Sequence, residues 1–284
     1  MSEVSAALVR ELRDKTGAGM MDCKRALADN GGDLERAIVS LREKGLAAAA
    51  KRATRVASEG LVVAATAAGG ASGALVEVNC ETDFVARTPE FQALADKVAQ
   101  HVLERGPEVD LSGLITEAVA KIGENIVMRR AARFQPAGDG GLVGCYIHGG
   151  GKIGVLIELA AAGAVKTAPE GAAAVKDLAM QVAAANPRYV TREEVPAGVL
   201  DGERAIYRAQ AATSGKPEPV IEKMVNGKLE KFFKDICLLE QPFIKESDRS
   251  VSAWLADIVK RVGGNLTVKR FVRFQLGEQT EQAA

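Results

Sequence analysis

The sequence has very few of the residues that build metal centres and redox sites. Only two histidines, His101 and His148, occur among the 284 residues. The four cysteines are far apart in the chain, and none belongs to a C-x-x-C pair, so no zinc or dithiol motif is indicated. Scattered single cysteines in a chain of this length are typical of reduced thiols in the cytoplasm. We therefore expect neither a metal ion nor another cofactor.

Neither sign of charge predominates, and no apolar run is long enough to span a membrane. Lys and Arg number 37, and Asp and Glu number 37, so the formal net charge is zero. Nucleic-acid binders usually carry a basic excess, so no direct nucleic-acid contact is predicted, although a local basic patch is compatible with this balance. The most apolar stretch, 153–165, has 13 residues, whereas a spanning helix needs about 20. The N-terminal segment lacks the apolar core of a signal peptide, so we expect a cytoplasmic protein without membrane association.

The glycine-rich segment around residue 151 superficially matches two enzyme motifs. Gly149, Gly151 and Gly154 fit the G-x-G-x-x-G spacing, but that motif follows a strand and opens a helix, whereas here a strand is predicted on each side. The His-Gly-Gly-Gly run fits an esterase loop, but the sequence has no G-x-S-x-G nucleophile motif. Each Gly-Lys pair lacks the Ser or Thr that completes a phosphate-binding loop. We expect a protein that is not an enzyme, with catalysis by carboxylates alone left open.

Residues 1–45 predict a compact bundle of three short helices. These helices are expected at 5–15, 20–28 and 33–45. Asp33 is a good N-cap for the third helix, and Gly45 is expected to end it. The basic, alanine-rich segment 46–58 is interpreted as a linker that is helical or partly flexible.

From residue 59 onward, alternating apolar residues predict antiparallel sheets. Strands are expected at 60–66, 74–80 and 125–134 with helices at 89–102 and 111–122, and again at 142–148 and 153–159 with a helix at 171–185. Segments 122–135 and 262–275 are identical at six of fourteen positions, at a constant offset of 140 residues, where composition alone would give about one. The chain is therefore predicted to be α+β, with two related α+β lobes at 59–140 and 141–277 and a polar tail at 278–284.

The second lobe is longer than the first because of an inserted segment at about 197–234. This segment predicts two helices, 199–212 and 219–233, joined by a turn at 213–217. A projecting helical hairpin of this kind can contact a second copy or a partner, or it can pack on its own lobe. The pattern alone favours neither outcome.

One connecting segment has the composition of a contact element. Asp83, Phe84 and Val85 follow a predicted strand and precede the helix that starts at Pro89, so we place them in a loop. A large aromatic side chain beside a carboxylate at a loop tip suits insertion into a partner. The same side chain could instead pack onto the lobe while Asp83 caps a turn, since loop aromatics often fold inward. The pattern leaves both interpretations open.

Several motifs, in this order along the chain, resemble those of bacterial translation elongation factor Ts. They are LRDKTGAGMMDCKRAL at 12–27, EVNCETDFVA at 77–86, KIGENI at 121–126, His148-Gly149 with Ile153-Gly154-Val155, Ser214-Gly215-Lys216-Pro217, and Gln241-Pro242-Phe243. The resemblance extends over about 4–277. Several long motifs in a fixed order are far more specific than any one of them.

The resemblance implies two contact regions for elongation factor Tu in the N-terminal half. Residues 1–45 would form a ubiquitin-associated-like three-helix domain that docks on the GTPase domain of that partner, with Arg13, Met20, Met21 and Lys24 at or near the contact. The alternative for the methionines is core packing, although a helix cannot bury two neighbours equally, so we expect one to be exposed.

The second implied region is the segment made of Thr82, Asp83, Phe84 and Val85. In the family, this segment pushes beside the nucleotide site and the phenylalanine enters between side chains of the GTPase, which disturbs the bound magnesium and the phosphate loop. GDP then leaves without a covalent step.

The resemblance also implies contacts in the second lobe. His148 would touch another domain of elongation factor Tu, with capping of the glycine turn by its ring as the alternative, and Ile244 lies where some members meet the GTPase domain again. The helical hairpin corresponds to a region linked with self-association in some members. Longer members carry a further C-terminal helical module, so any contact made by that module is in doubt here.

Three functions remain to be compared. The resemblance favours a guanine-nucleotide exchange factor that binds elongation factor Tu in its GDP-bound and nucleotide-free forms. The second is a non-catalytic adaptor that uses the ubiquitin-associated-like domain to bind another client. The third is an enzyme that uses carboxylates or the glycine-rich loop.

Overall fold

The N-terminal residues form three packed helices. The computed structural model describes residues 4–137 and 140–279. The first helices are α1 (Ala6–Thr16), α2 (Met20–Asp29) and α3 (Leu34–Arg52). Ser5 and Asp33 cap α1 and α3, because each side chain accepts a hydrogen bond from a backbone amide three residues further on. The shared core contains the buried residues Val9, Leu12, Cys23, Ala26, Leu27 and Ala37.

The third helix is longer than the sequence predicts. The expected end at Gly45 is wrong, because α3 runs through this residue to Arg52. The alanine-rich continuation has a high helix propensity, which outweighs the cost of about 1 kcal/mol for one interior glycine. Gly45 also allows a close approach, since a Cβ atom there would lie 3.0 Å from the Cβ of Ala120 in the first lobe. Most of the predicted linker is therefore part of a helix that packs on that lobe.

The first lobe is a three-stranded antiparallel sheet covered by helices. Its elements are β1 (Glu59–Thr66), β2 (Gly73–Cys80), α4 (Asp83–Ala86), α5 (Pro89–Arg105), α6 (Ser112–Ile122) and β3 (Val127–Phe134). The strand order is β1-β2-β3, and every residue of the central strand β2 is buried. Phe91 and Val98 of α5 share a buried cluster with Val76 and Val78 of β2. Burial on both faces of β2 explains its nearly continuous apolar sequence.

The second lobe repeats this arrangement and adds the inserted hairpin. Its elements are β4 (Gly141–His148), β5 (Ile153–Ala162), α7 (Ala164–Thr167), α8 (Pro169–Ala185), α9 (Ala197–Ala212), α10 (Glu218–Ile236), β6 (Pro242–Phe243), β7 (Glu246–Ser250), α11 (Val251–Val262) and β8 (Asn265–Gln275). The order of the larger sheet is β4-β5-β8, again antiparallel. The hairpin helices α9 and α10 pack on each other through Ala211, Ile221, Val225 and Leu229. The predicted α+β class is therefore confirmed.

Equivalent residues of the two lobes make equivalent and reciprocal contacts. Arg130 on β3 stands opposite the buried Glu77, and Arg270 on β8 stands opposite Glu158. Each arginine Nε donates to its carboxylate at 2.7 Å. The two guanidinium groups then cross between the lobes: Arg130 lies 4.3 Å above the ring of Phe274, and Arg270 lies 4.2 Å above the ring of Phe134. This reciprocity is what the repeat at an offset of 140 residues predicts.

The two sheets face each other across a small apolar core. This core contains Val62, Leu75, Phe134, Val143, Leu156 and Phe274, three from each lobe. Gly73 and Gly154 let the sheets approach closely, because a Cβ on Gly73 would lie 2.8 Å from Leu156 and a Cβ on Gly154 would lie 2.8 Å from Leu75. A larger residue at either position would have to displace these core side chains. The lobes therefore form one packed body that carries the surfaces described next.

Candidate functional site

The segment made of Thr82, Asp83, Phe84 and Val85, here called the aromatic turn, follows β2 directly. The predicted loop is wrong in detail, because Asp83–Ala86 form the one-turn helix α4. Thr82 caps this turn: its hydroxyl oxygen accepts from the Val85 amide at 3.4 Å. Ala86 is buried and fixes the turn to the lobe. One turn is too short to produce a helical period in the sequence, which is why the pattern did not show it.

Phe84 projects into solvent from the aromatic turn. Its relative exposure is 78%, the second highest among the large exposed apolar residues of the described chain. The interpretation in which Phe84 packs onto the lobe is therefore wrong. Asp83 does not provide the side-chain cap, which comes from Thr82; its carboxylate pairs with Arg87 at 2.8 Å. The site is thus a protruding aromatic ring beside a charged pair, and its shape suits insertion into another molecule.

The base of the aromatic turn is fastened by residues that are distant in sequence. One carboxylate oxygen of Glu124 accepts from the backbone amides of Glu81 and Thr82, both at 3.0 Å, and the other accepts from the Thr82 hydroxyl at 2.6 Å. In return, the Glu81 carboxylate accepts from the backbone amide of Asn125 at 2.6 Å. The Asn125 side chain donates to the carbonyl of Arg55 at 2.7 Å. Two carboxylates and the Asn125 side chain therefore hold three chain segments together at the base of the turn.

Cys80 lies under the same turn, and its thiol is unreactive. Its thiol is fully buried and donates to the Thr82 carbonyl at 3.2 Å. Burial, and secondarily the negative charge of Glu124, raises the pKa of the Cys80 thiol to about 12. The thiol therefore stays protonated at neutral pH, so it serves packing and not nucleophilic chemistry.

The N-terminal candidates lie on the surface of the three-helix bundle. Met20 and Met21 are 45% and 67% exposed, so core packing is wrong for both, and two methionines are exposed where one was expected. Cys23 and Leu27 occupy the buried face of α2 instead. Arg13 and Lys24 are also exposed. Two flexible apolar side chains beside two cations form a surface suited to an adaptable protein contact.

His148 and Ile244 are both exposed: His148 is the last residue of β4, and Ile244 lies in the turn between β6 and β7. The His148 ring lies along its own strand, since its Nδ1 is 3.1 Å from the Tyr146 hydroxyl. The glycine turn is closed instead by the His148 backbone carbonyl, which accepts a hydrogen bond from the Lys152 amide. Ile244 is 43% exposed, and its amide donates to the buried side chain of Gln181 at 2.8 Å. Both side chains are therefore presented outward by a fixed backbone.

The structure brings only some of these candidates together. Lys152, in the turn after His148, pairs with Glu59 at 3.4 Å, and Glu59 stands opposite Cys80 in the first sheet. The turn after His148 therefore lies at the end of the molecule from which the aromatic turn projects. Ile244 and the methionines stand on other elements, so the candidates form separate surfaces and not one pocket.

Sequence reasoning missed Glu124, Asn125 and Arg55 as parts of this site. The motif at 121–126 was noticeable, but its residues precede a strand and carry no chemical signature of their own. The available signal was the polar pair Glu124-Asn125, directly after Gly123, which ends the helix with a φ of 90°. The residue that Glu124 binds, Thr82, lies 42 residues earlier in the chain, and no local pattern identifies it.

Across 4–137 and 140–279, no group of three His, Cys, Asp or Glu side chains could hold a metal ion. In the same residues, no helix has the length and apolar character needed to cross a membrane.

Comparison with known proteins identifies the family. A family model described as Elongation factor TS matches residues 81–278. Elongation factor Ts of Symbiobacterium thermophilum is 50% identical over 289 residues, which cover 99% of this chain and 95% of that protein. Elongation factor Ts of Trichlorobacter lovleyi is 47% identical over 295 residues, with coverage of 98% and 94%, and that of Clostridium botulinum is 45% identical over 292 residues, with coverage of 98% and 95%. The chain belongs to the elongation factor Ts family, a family of translation elongation factors.

Proposed function

We propose that this protein is a guanine-nucleotide exchange factor, which binds elongation factor Tu in the cytoplasm and promotes release of GDP. Family membership supports the partner, and the exposure of Phe84 on a fastened turn supports the mode of action. An aromatic ring that is 78% exposed contributes little to its own fold. Its apolar surface is available for burial in a partner, where aromatic side chains dominate binding energy.

The proposed mechanism is displacement without covalent chemistry. The aromatic turn inserts beside the nucleotide site, with Phe84 between side chains of the GTPase and Asp83 at its edge. Magnesium and phosphate contacts hold GDP mainly by charge, so a small movement of the groups that make them weakens the nucleotide. GDP leaves, GTP enters, and the factor dissociates. Each step changes only non-covalent contacts, so the protein needs no cofactor of its own.

The remaining surfaces supply affinity and orientation. In this proposal, residues 1–45 act as a docking domain, and Arg13, Met20, Met21 and Lys24 contact the GTPase domain. His148 and Ile244 make further contacts from the second lobe. The backbone of these surfaces is already ordered in helices and strands, so the conformational entropy lost on binding is mainly that of the exposed side chains.

The helical hairpin is a proposed surface for a homodimer. Ile206 on α9 and Val220 on α10 are 50% and 42% exposed. Apolar side chains left outside the hairpin core would be buried by a second copy. Self-association through this hairpin is separate from the exchange mechanism and does not require the aromatic turn.

A non-catalytic adaptor is the second candidate function. The observation behind it is the exposed methionine pair on α2, which could bind a different client by itself. The two functions differ in their dependence on nucleotide, because coupling between two ligands is reciprocal.

The test is the affinity of the protein for elongation factor Tu, measured by titration calorimetry with and without saturating GDP and magnesium. An exchange factor binds the nucleotide-free form more tightly, typically by about 5- to 150-fold for coupled sites. Equal affinity for the two forms, or no binding, would support the adaptor and refute the exchange function.

A further inference from the structure

The aromatic turn is too short to be stable alone, so the direction of Phe84 depends on the contacts that hold the turn to the lobe. The helix α4 has only four residues, and an isolated helix of this length is unstable in water because nucleation is costly. Its N-terminal side-chain cap is the Thr82 hydroxyl, at 3.4 Å from the Val85 amide, and at the other end the Thr88 hydroxyl donates to the Val85 carbonyl at 2.8 Å. Buried Ala86 holds the C-terminal side of the turn, so the position of its N-terminal side, from which Phe84 projects, depends on what holds Thr82.

Glu124 holds Thr82 through both its backbone and its side chain. The carboxylate accepts three hydrogen bonds, from the amides of Glu81 and Thr82 at 3.0 Å and from the Thr82 hydroxyl at 2.6 Å. The bond from the hydroxyl directs its proton toward Glu124, which leaves an oxygen lone pair for the Val85 amide. Hydrogen bonds to an ionised carboxylate are about twice as strong as neutral ones. One side chain thus fixes both the backbone and the cap of the aromatic turn.

Glu124 is itself firmly positioned. It follows Gly123, which ends α6 in a left-handed conformation with φ 90°, and it precedes Ile126, which is 2% exposed in the core of the lobe. The neighbouring Asn125 is fastened at its amide by Glu81 and at its side chain by Arg55. The carboxylate is therefore supplied from a rigid junction and not from a mobile loop.

We propose that Glu124 is a positioning residue for nucleotide exchange: it acts through Thr82 to hold the aromatic turn in the geometry in which Phe84 inserts. This inference rests on the exchange function proposed above. Glu124 needs no contact with the nucleotide or with elongation factor Tu. Without the Glu124 carboxylate, Phe84 is still present but samples many orientations. Binding must then order the ring, which costs conformational entropy.

The first experiment measures catalysed GDP release by Glu124→Ala and Glu124→Gln. Misplacement of a reacting element by about 1 Å costs on the order of a hundredfold, so we expect Glu124→Ala to lower kcat/KM by about ten- to a hundredfold. Glu124→Gln keeps one acceptor oxygen instead of two and should lie between Glu124→Ala and the wild type. The matched control is Glu108→Ala, because Glu108 is an exposed carboxylate of the same lobe with no hydrogen bond among the described residues; it should leave the rate unchanged.

A double-mutant cycle separates positioning from general destabilisation. If Glu124 acts through Phe84, adding Glu124→Ala to Phe84→Ala should lower kcat/KM no further, because the ring that it positions is already gone. A merely structural role would make the two losses multiply. Multiplicative losses, or an unchanged rate in Glu124→Ala, would overturn the proposal.

Amide hydrogen exchange in the free protein gives a readout that does not need the partner. In Glu124→Ala, the Val85 and Ala86 amides should exchange faster while the core of β2 stays protected. Thr82→Val, which removes the hydroxyl, should act in the same direction, and Thr82→Ser should keep the wild-type protection. Unchanged protection of these amides in Glu124→Ala would overturn the proposal. If instead the wild-type protein and Phe84→Ala release GDP equally slowly, the exchange function itself fails, whatever the amides show.

Discussion

Replacement of Phe84 by Ala separates function from stability more sharply than any other single change. Full burial of a phenylalanine side chain contributes about 1.5–3 kcal/mol, but Phe84 is 78% exposed. Only about a fifth of that contribution is present in the free protein, so the free energy of unfolding should fall by less than about 1 kcal/mol. In the complex the ring is expected to be buried, and loss of a central aromatic contact typically costs about 2 kcal/mol or more. That cost corresponds to about a thirtyfold loss in kcat/KM.

The assay measures release of fluorescent GDP from elongation factor Tu at increasing concentrations of Phe84→Ala, together with urea unfolding of the variant. Phe91→Ala is the matched control, since Phe91 is fully buried on α5. Truncating such a core phenylalanine typically costs about 3–5 kcal/mol of stability. The reasoning would be refuted if Phe84→Ala lost stability as Phe91→Ala does, or if it kept wild-type exchange.

Three further predictions concern the rest of the molecule. Gly45→Leu should weaken the packing of α3 on α6, because even a Cβ atom at this position would lie 3.0 Å from the Cβ of Ala120. Small-angle scattering of the free protein should then show a larger radius of gyration, and an unchanged radius would contradict the close contact. Deleting residues 1–32, which contain α1 and α2 and leave α3 with its Asp33 cap on the first lobe, should reduce affinity for elongation factor Tu while the lobes still unfold cooperatively, as followed by circular dichroism. Global unfolding of this variant would contradict a separate docking surface on the first two helices. The Cys80 thiol, with its pKa raised to about 12, should react with a disulfide reagent at pH 8 only when the protein is unfolded, and rapid labelling of the native protein would show that the turn above it opens.

Local sequence patterns predicted the elements that are long and regular. The apolar strand patterns at β1 and β2, and the Thr88-Pro89 start of α5, predicted the lobe that presents Phe84, because burial of a strand or of one helix face selects apolar residues in a recognisable pattern. Gly45 was misinterpreted as a helix end. The close contact with Ala120, which lies 75 residues away in sequence, makes a glycine useful inside the helix, and no local signal records that contact.

The candidate site was predictable in composition but not in geometry. The pair Asp83 and Phe84 stood out as a carboxylate beside an aromatic residue, but the pattern could not decide whether Phe84 points inward or outward. The turn that carries Phe84 is fastened by Glu124, whose hydrogen bonds to it cross 42 residues of chain. Hydrogen bonds between a side chain and a distant backbone segment produce no periodic pattern in the sequence, so only the structure shows them.

The most direct test of the exchange function is the release of labelled GDP from elongation factor Tu in the presence of sub-stoichiometric amounts of this protein. The account predicts accelerated release in which each molecule of the factor serves many molecules of the GTPase, and it predicts that the acceleration is largely lost in Phe84→Ala. Release at the spontaneous rate, with the protein shown to be folded, would contradict it.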